Sequence, residues 1–390
     1  MLKKFDSFYI RLIAILSVKK MHTFRFDAEA VWGDTEVRRR LQWYRGVMTG
    51  RYPAKFLICK KIGVSIPKGP DESSLWYQHA SAQKDFLRAF KAILEGLIDF
   101  TSLPDVSPNL LDLKCLISER MVRRCNFCER RCLVDRKAGQ RGFCKVGYES
   151  KVATWFHHFG EEAPLIGKGG SGTIFFAGCN FGPCVFCQNW DISSDPENGA
   201  IVPPKVLALI SERLKKDDVA NINYVGGEPT PNLHVILNSM RFLRSNVAQL
   251  WNSNMYCSVE TMNLLADVID IWLPDFKYGN DDCALLLSNA KNYFEIVSRN
   301  HKIAYDNGNM IVRHLVLPNH VDCCTKPILE WVSKNTPNAL VNIMEQYHPD
   351  YLVERYPEKY KSIARRVTHD EMHEAYSYAE KLGVAYRPVS

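Results

Sequence analysis

Residues 173–187 read "TIFFAGCNFGPCVFC". The first part, TIFFAG, is a short apolar run of β-forming residues that closes on a glycine, and it reads as a buried strand. The second part places Cys179, Cys184 and Cys187 in one loop directly after that strand. Soft thiolates select zinc, Cu(I) or an iron–sulfur cluster. A four-iron cluster usually takes four cysteines, and structural zinc sites are closed by four ligands. Three thiolates leave one position vacant, and in catalytic metal sites the open position is where a small molecule coordinates. The alternative is a structural zinc site completed by a distant residue such as His157 or His158.

Outward from this stretch, strands and helices alternate. "NINYVGG" (221–227), "LWNSNMYCS" (250–258), "IDIWLPDFKY" (269–278), "MIVRHLVLP" (310–318) and "LVNIMEQY" (340–347) read as five further strands. Helical segments such as "PPKVLALISERLKK" (203–216) and "NLHVILNSMRFLRS" (232–245) lie between them. This order predicts an α/β fold with a parallel sheet and right-handed crossovers, a partial or full (β/α) barrel. Chemistry in such barrels sits at the C-terminal ends of the strands. Cys179, the Gly226-Gly227-Glu228 turn, and Asp275 with Lys277 all fall there.

The remaining chain divides by texture. Residues 1–118 read as a mostly helical region of unassigned role, 119–151 as a small cysteine-bearing segment, and 152–390 as the barrel. The first twenty residues read as a short amphipathic helix. Their apolar stretch is interrupted by Arg11 and is too short to span a bilayer. The 13 cysteines are odd in number and clustered, which argues for thiolate metal sites in a reducing, cytoplasmic setting rather than a disulfide framework. A net charge of +7 permits an acidic partner without demanding nucleic acid, and no basic patch interleaved with aromatics supports one.

"CNFCERRCLVDRKAGQRGFC" (125–144) supplies a second set, Cys125, Cys128, Cys132 and Cys144. Four cysteines with an x2 hairpin and a glycine turn form a closed set, compatible with zinc or an iron–sulfur cluster. The surrounding arginines and lysines offset thiolate charge, or dock an acidic electron donor or protein substrate. Cys323 and Cys324 are adjacent, a poor arrangement for one tetrahedral ion, so ordinary thiols are expected, with a redox or further-site role as the alternative. Cys59, Cys115, Cys257 and Cys283 look isolated and read as structural thiols.

The chain resembles the radical SAM (S-adenosylmethionine) superfamily, in particular its pyruvate formate-lyase activating enzyme-like branch. The matching stretches are "HFGEE" (158–162), "GSGTIFFAGCN" (170–180), "CVFCQNWDIS" (184–193), "LPDFKY" (273–278), "RHLVLP" (313–318) and "NIMEQYHP" (342–349). They cover roughly residues 120–385. The family signature has three residues between its first two cysteines; this chain has four, "NFGP", with Gly182-Pro183 as a turn that absorbs the extra one.

The resemblance implies a barrel of the radical SAM type. Cys179, Cys184 and Cys187 would hold a [4Fe–4S] cluster, and SAM would chelate the remaining iron. "GGEP" (226–229) resembles the glycine-rich motif that meets the SAM amine, with Glu228 adding charge or fixing the loop. Phe186 is a candidate to shield the cluster or lie along adenine, with plain loop packing as the alternative, and Asn189 is a candidate to hydrogen-bond the loop or a cluster sulfur. Asn252, Ser253 and Asn254 are candidates for the ribose and carboxylate of SAM. Asp275 and Lys277 share a strand face and form either a plain salt bridge or a SAM- or substrate-contacting pair. Arg313 and His314 point to opposite sides, so one faces the interior; His314 is the candidate taken. Glu345, Gln346 and His348 are candidates to face substrate. The implied activity is reductive SAM cleavage to a 5′-deoxyadenosyl radical that abstracts hydrogen from a substrate, a glycyl radical protein being one target. The implied partners are a flavodoxin or ferredoxin and a protein substrate, with no membrane. The reading from another class is a zinc-bound scaffold without radical chemistry.

Overall fold

Among the described residues, apolar residues on both faces of successive strands build one sheet of eight strands. The computed structural model describes residues 25–66 and 68–390; the helix expected over the first twenty residues lies outside them. The strands are β1 (Lys151–His158), β2 (Ser171–Phe176), β3 (Ala200–Ile201), β4 (Asn221–Gly226), β5 (Ala248–Ser253), β6 (Ile271–Pro274), β7 (Asn309–Leu315) and β8 (Leu340–Met344). Their order is β3-β1-β2-β4-β5-β6-β7-β8. From β2 to β8 every neighbouring pair is parallel, and β1 runs antiparallel to both β2 and β3. The sheet is open, with β3 and β8 at its edges. The partial-barrel alternative is therefore the one realised.

All six strands read from the sequence are present. Ile222, Tyr224, Leu250, Trp251, Ile271 and Trp272 are fully buried, as strands covered on both faces require. The third strand ends at Ser253, short of the expected 258, because Met255 takes a left-handed φ of 58° and turns the chain. Neither β1 nor β3 was among the strands expected. β1 mixes aromatics and histidines, "KVATWFHH", and its pairing with β2 depends on a long-range register with a bulge at Val152/Thr154.

The N-terminal helices close the end of the sheet where the parallel strands begin. Trp43 Nε1 donates to Asp270 Oδ1 at 2.9 Å, just ahead of β6. Asn221, the first residue of β4, donates to the Tyr44 hydroxyl at 2.9 Å, and Asn309, the first of β7, accepts from the Tyr44 N–H at 2.8 Å. Lys114, on the helix Leu110–Met121, pairs with Asp267 at 2.8 Å with both side chains fully buried. Losing either partner would leave an uncompensated buried charge, a penalty of about 3–5 kcal/mol. The three textural regions share one continuous hydrophobic cluster. One end is thus sealed, and the C-terminal ends of the strands are left for a site. No described helix is long and apolar enough to cross a membrane.

Candidate functional site

The loop after β2 carries the three thiols and is pinned from several sides. Gly182 N donates to Ser288 O at 3.3 Å and Val185 N to Leu287 O at 2.9 Å, both at the end of the helix Asp281–Ser288. The Val185 carbonyl accepts from the N–H groups of Leu352 and Val353. A Cβ on Gly182 would lie 2.4 Å from the exposed Phe143 ring, which packs over this turn. Cys179 Sγ accepts from Phe181 N at 3.4 Å, and Cys187 Sγ lies 3.3 Å from Ser193 Oγ.

The three thiols open on a cavity of about 220 Å³ lined by residues from the ends of β2 and β4–β8. Phe186, Asn189, Gly226, Gly227, Glu228, Ser253, Asn254, Asp275 and Lys277 all line it, as does Asn252. The backbone of the glycine turn touches the cysteine loop. A Cβ on Gly226, whose φ is 122°, would sit 2.2 Å from Phe176 N, and one on Gly227 would sit 2.3 Å from Gly178 O. Side chains are therefore excluded from both positions by close backbone approach.

Glu228 serves as a fastener. Its Oε1 accepts from Ser253 Oγ (2.6 Å), Thr230 Oγ1 (2.6 Å) and Thr230 N (3.2 Å), and its Oε2 accepts from Asn254 N at 2.9 Å. The carboxylate thereby stitches the end of β4 to the end of β5. Burial raises its pKa. Asn254 Nδ2 donates to Asn180 Oδ1 at 2.7 Å and reaches Cys179 Sγ at 3.7 Å. Phe186 packs edge-on against Tyr278 and Tyr347, with centroids 6.5 and 5.6 Å away.

Asp275 and Lys277 do form a salt bridge, at 2.7 Å, on the cavity wall. Burial disfavours the ammonium, but Asp275 and the nearby Cys184 outweigh it and leave the Lys277 pKa raised. On β7 it is Arg313 that lines the cavity, while His314 is turned away from it. Both His314 nitrogens are engaged elsewhere, with Phe276 O at 2.8 Å and Thr325 Oγ1 at 2.8 Å. The choice of His314 is therefore corrected to Arg313: alternation allowed one of the two inside, and the guanidinium finds carboxylates there. Arg313 meets Glu161 Oε2 at 2.6 Å, Glu162 Oε1 at 2.8 Å and Asn252 Oδ1 at 3.4 Å. Burial raises the Glu161 carboxyl, but Arg313 and His158 more than offset it and hold its pKa at about 2. Glu161 and Glu162 stood in the "HFGEE" stretch without a role. An adjacent pair of acids next to a strand, matched by an arginine on another, is the signal that could have found them.

Arg313 and Met344 also border a second, polar cavity of about 450 Å³ beside β8 and the C-terminal residues that bond to it, lined further by Glu345 and Gln346. His348 instead lies 3.7 Å from Asp350 and is half-buried. His157 and His158 cannot complete the three-thiol set. They pair with Gly172 and Ser171, at the far end of β2 from Cys179.

Cys125, Cys132 and Cys144 each bear electrostatically on Cys128, although among the described residues these sulfurs are not within 4.8 Å of one another as a group. Phe143 N donates to Cys132 Sγ at 3.2 Å. Arg130 spans the two regions: its Nε donates to Asn180 O at 2.9 Å, and its guanidinium stacks 3.9 Å from the Phe143 ring centre. Burial raises the Cys128 thiol, as it does Cys179, and pushes Cys187 up to about 11. Such thiols ionise only against a positive partner, which a metal centre supplies.

Comparison with known proteins agrees with this arrangement. Residues 173–332 match the radical SAM superfamily. The uncharacterized protein MJ0674 of Methanocaldococcus jannaschii is 45% identical over 351 residues, covering 88% of this chain and 98% of that protein. Among solved structures, a domain of pyruvate-formate lyase-activating enzyme from Bacteroides vulgatus aligns at 13% identity and a TM-score of 0.34, over 43% of this chain and 96% of that one. Streptococcus suis SuiB bound to precursor peptide SuiA aligns at 12% identity and a TM-score of 0.39, over 53% of this chain and 46% of that one. Those overlays are too loose to weigh in the assignment. The sequence match, falling on the strands and loops that build the cavity, is what places the chain: it belongs to the radical SAM superfamily.

Proposed function

We propose that the protein is a radical enzyme in which Cys179, Cys184 and Cys187 hold a [4Fe–4S] cluster and the adjoining cavity receives SAM. When bound, the pair supplies one-electron cleavage of SAM to a 5′-deoxyadenosyl radical, which takes hydrogen from a substrate. The observation that carries this reading is the convergence of three thiols with the glycine turn and the polar ends of β5, β6 and β7 on one cavity. The donor set fits: three soft ligands from one loop, two of them, Cys179 and Cys187, raised by burial and so dependent on a cationic partner for the thiolate form.

The chain's own residues divide the work. Gly226 and Gly227 bring bare backbone to the wall where an ammonium can be met by carbonyls. Glu228 holds that turn to Ser253 and Asn254. Asp275 and Lys277 present one charge of each sign to a zwitterionic ligand. Arg313, anchored on Glu161 and Glu162, stands between the SAM cavity and the polar cavity beside β8, which is the route assigned to substrate. Phe186 and its aromatic neighbours exclude water from the loop.

The Cys125/Cys128/Cys132/Cys144 set is assigned a second metal, zinc or iron–sulfur. Its basic segment adjoins the cluster loop through Arg130, which favours an acidic electron donor such as a flavodoxin or ferredoxin docking there. A glycyl radical protein is one substrate in keeping with the resemblance, and a peptide or small molecule fits the same cavity.

The test is anaerobic reconstitution with iron and sulfide, addition of SAM and dithionite, and measurement of 5′-deoxyadenosine. Product from the parent and none from Cys184→Ala supports the reading. A fully loaded cluster that neither yields product nor changes its EPR signal with SAM overturns it.

A further inference from the structure

Cys283, His320, Cys323 and Cys324 lie on two crossovers that the sequence does not connect. Cys283 is in the first turn of the helix Asp281–Ser288, which follows β6. His320, Cys323 and Cys324 follow β7, where Val321–Thr325 forms a single π-helical turn ahead of the helix Lys326–Asn335. The fold brings one ligand atom from each of the four within 4.8 Å of every other. The reading of Cys283 as an isolated structural thiol is thereby corrected.

The separations are specific. Cys283 Sγ lies 3.9 Å from Cys323 Sγ, and Cys323 Sγ lies 3.9 Å from Cys324 Sγ. His320 Nδ1 is 3.3 Å from Cys323 Sγ, 3.5 Å from Cys283 Sγ and 4.0 Å from Cys324 Sγ. Zn–S bonds of about 2.3 Å and a Zn–N bond of about 2.0–2.1 Å at tetrahedral angles put ligand atoms roughly 3.5–3.8 Å apart. The observed set brackets that range. Cysteines binding different irons of a four-iron cluster must stand further apart than ligands sharing one ion.

Hydrogen bonding alone does not account for the grouping. A neutral imidazole nitrogen carries either one proton or one lone pair, so His320 Nδ1 satisfies one sulfur, yet three surround it. Its Nε2 is buried without a hydrogen-bond partner among the described residues. A ring proton there leaves the Nδ1 lone pair for an ion.

The surroundings are built to hold this geometry. π-turns recur at functional sites, and this one lets both adjacent cysteines reach the same point, which an extended chain would not. Gly279 makes room: a Cβ there would sit 2.7 Å from Cys324 O and 2.8 Å from Cys323 O. Asn280 ties the two crossovers, accepting from Cys283 N at 2.8 Å while donating to Cys323 O at 2.8 Å and approaching Cys324 Sγ at 3.8 Å.

We propose that Cys283, His320, Cys323 and Cys324 form a closed tetrahedral zinc site of three thiolates and one imidazole. On binding, three S–H bonds give way to three Zn–S bonds, three protons leave to solvent and no electron moves. The ion clamps the helix Asp281–Ser288 to the π-turn. The far end of that helix receives the hydrogen bonds of Gly182 and Val185, so the clamp steadies the three-thiol loop. None of this depends on radical chemistry.

The first test is zinc and iron content of the full chain after exhaustive dialysis, for the parent, Cys283→Ser/Cys323→Ser, and Cys59→Ser as a buried-thiol control. The expected result is one zinc equivalent fewer in the double variant alone, with iron unchanged. Equal zinc in all three, or zinc that leaves the parent on desalting, overturns the site. The second test needs no variant. Cys323 is exposed, so its alkylation in the native parent should speed up about tenfold or more when a zinc chelator is added. An unchanged rate, or a Cys283–Cys323 disulfide found by mass spectrometry, overturns the proposal.

Discussion

Two sets of cysteines flank the same helix, Asp281–Ser288, and they differ in every respect that matters. At its C-terminal end the loop of Cys179, Cys184 and Cys187 offers three thiols from nine consecutive residues, opening on a cavity. At its N-terminal end Cys283 joins His320, Cys323 and Cys324 from a separate crossover, and none of the four lines that cavity. The first set is local in sequence and short of a ligand; the second is assembled by the fold and complete. Openness suits a centre that must bind something else, and closure suits one that must hold structure.

The comparison breaks most visibly under ligand replacement. Cys184→Ala should lower 5′-deoxyadenosine formation by more than about 100-fold while leaving zinc content unchanged. Cys323→Ser should do the reverse, losing zinc and only weakening turnover. If both variants lose iron and zinc together, the two sets are not independent.

Gly227→Ala comes next. Its new Cβ would press on Gly178 O, whose backbone carries the cysteine loop. About tenfold weaker SAM binding is expected, read by titration, with zinc retained. Arg313→Lys keeps the charge but loses the fork that meets Glu161 and Glu162. Leaving buried carboxylates partly unpaired should cost about 1–3 kcal/mol in chemical denaturation.

Asn280→Ala acts on the closed set only. It removes a helix cap and the tie to Cys323 O, at about 1 kcal/mol, with faster zinc loss to chelator and unchanged product formation in zinc-replete enzyme.

A separate effect belongs to the body of the protein and should be the same whichever set is loaded. Burial pushes His301 down to about 4 and His234 down to about 3. In the unfolded chain both protonate near the ordinary value of about 6.5. The unfolded state then binds more protons, so stability present above that pH declines as pH falls toward the native values, with a slope of up to about 1.4 kcal/mol per pH unit for each histidine. Denaturation curves between pH 7 and 5 check the sign. His301→Phe, which keeps the ring packed on Phe276, should flatten the decline.

Much of the site was legible because a parallel sheet places the end of each strand at one mouth. Once TIFFAG, NINYVGG and LPDFKY read as strands, the residues after them had to converge. Strand alternation narrowed Arg313 and His314 to one inward residue, but which one depended on the carboxylates of Glu161 and Glu162, brought in by β1. β1 itself was hidden, because antiparallel pairing across a bulge leaves no periodic trace.

By itself the sequence determined the six parallel strands, the three-thiol loop, the glycine turn and the four-cysteine segment. Each is a short-range pattern whose chemistry survives in any tertiary context. Only the tertiary structure decided that the sheet stays open, that Glu228 is a fastener, that Arg313 faces inward and that Cys283 meets Cys323. Those outcomes rest on contacts between residues tens to hundreds of positions apart, where backbone register and packing, rather than local preference, fix which side chains share a point in space.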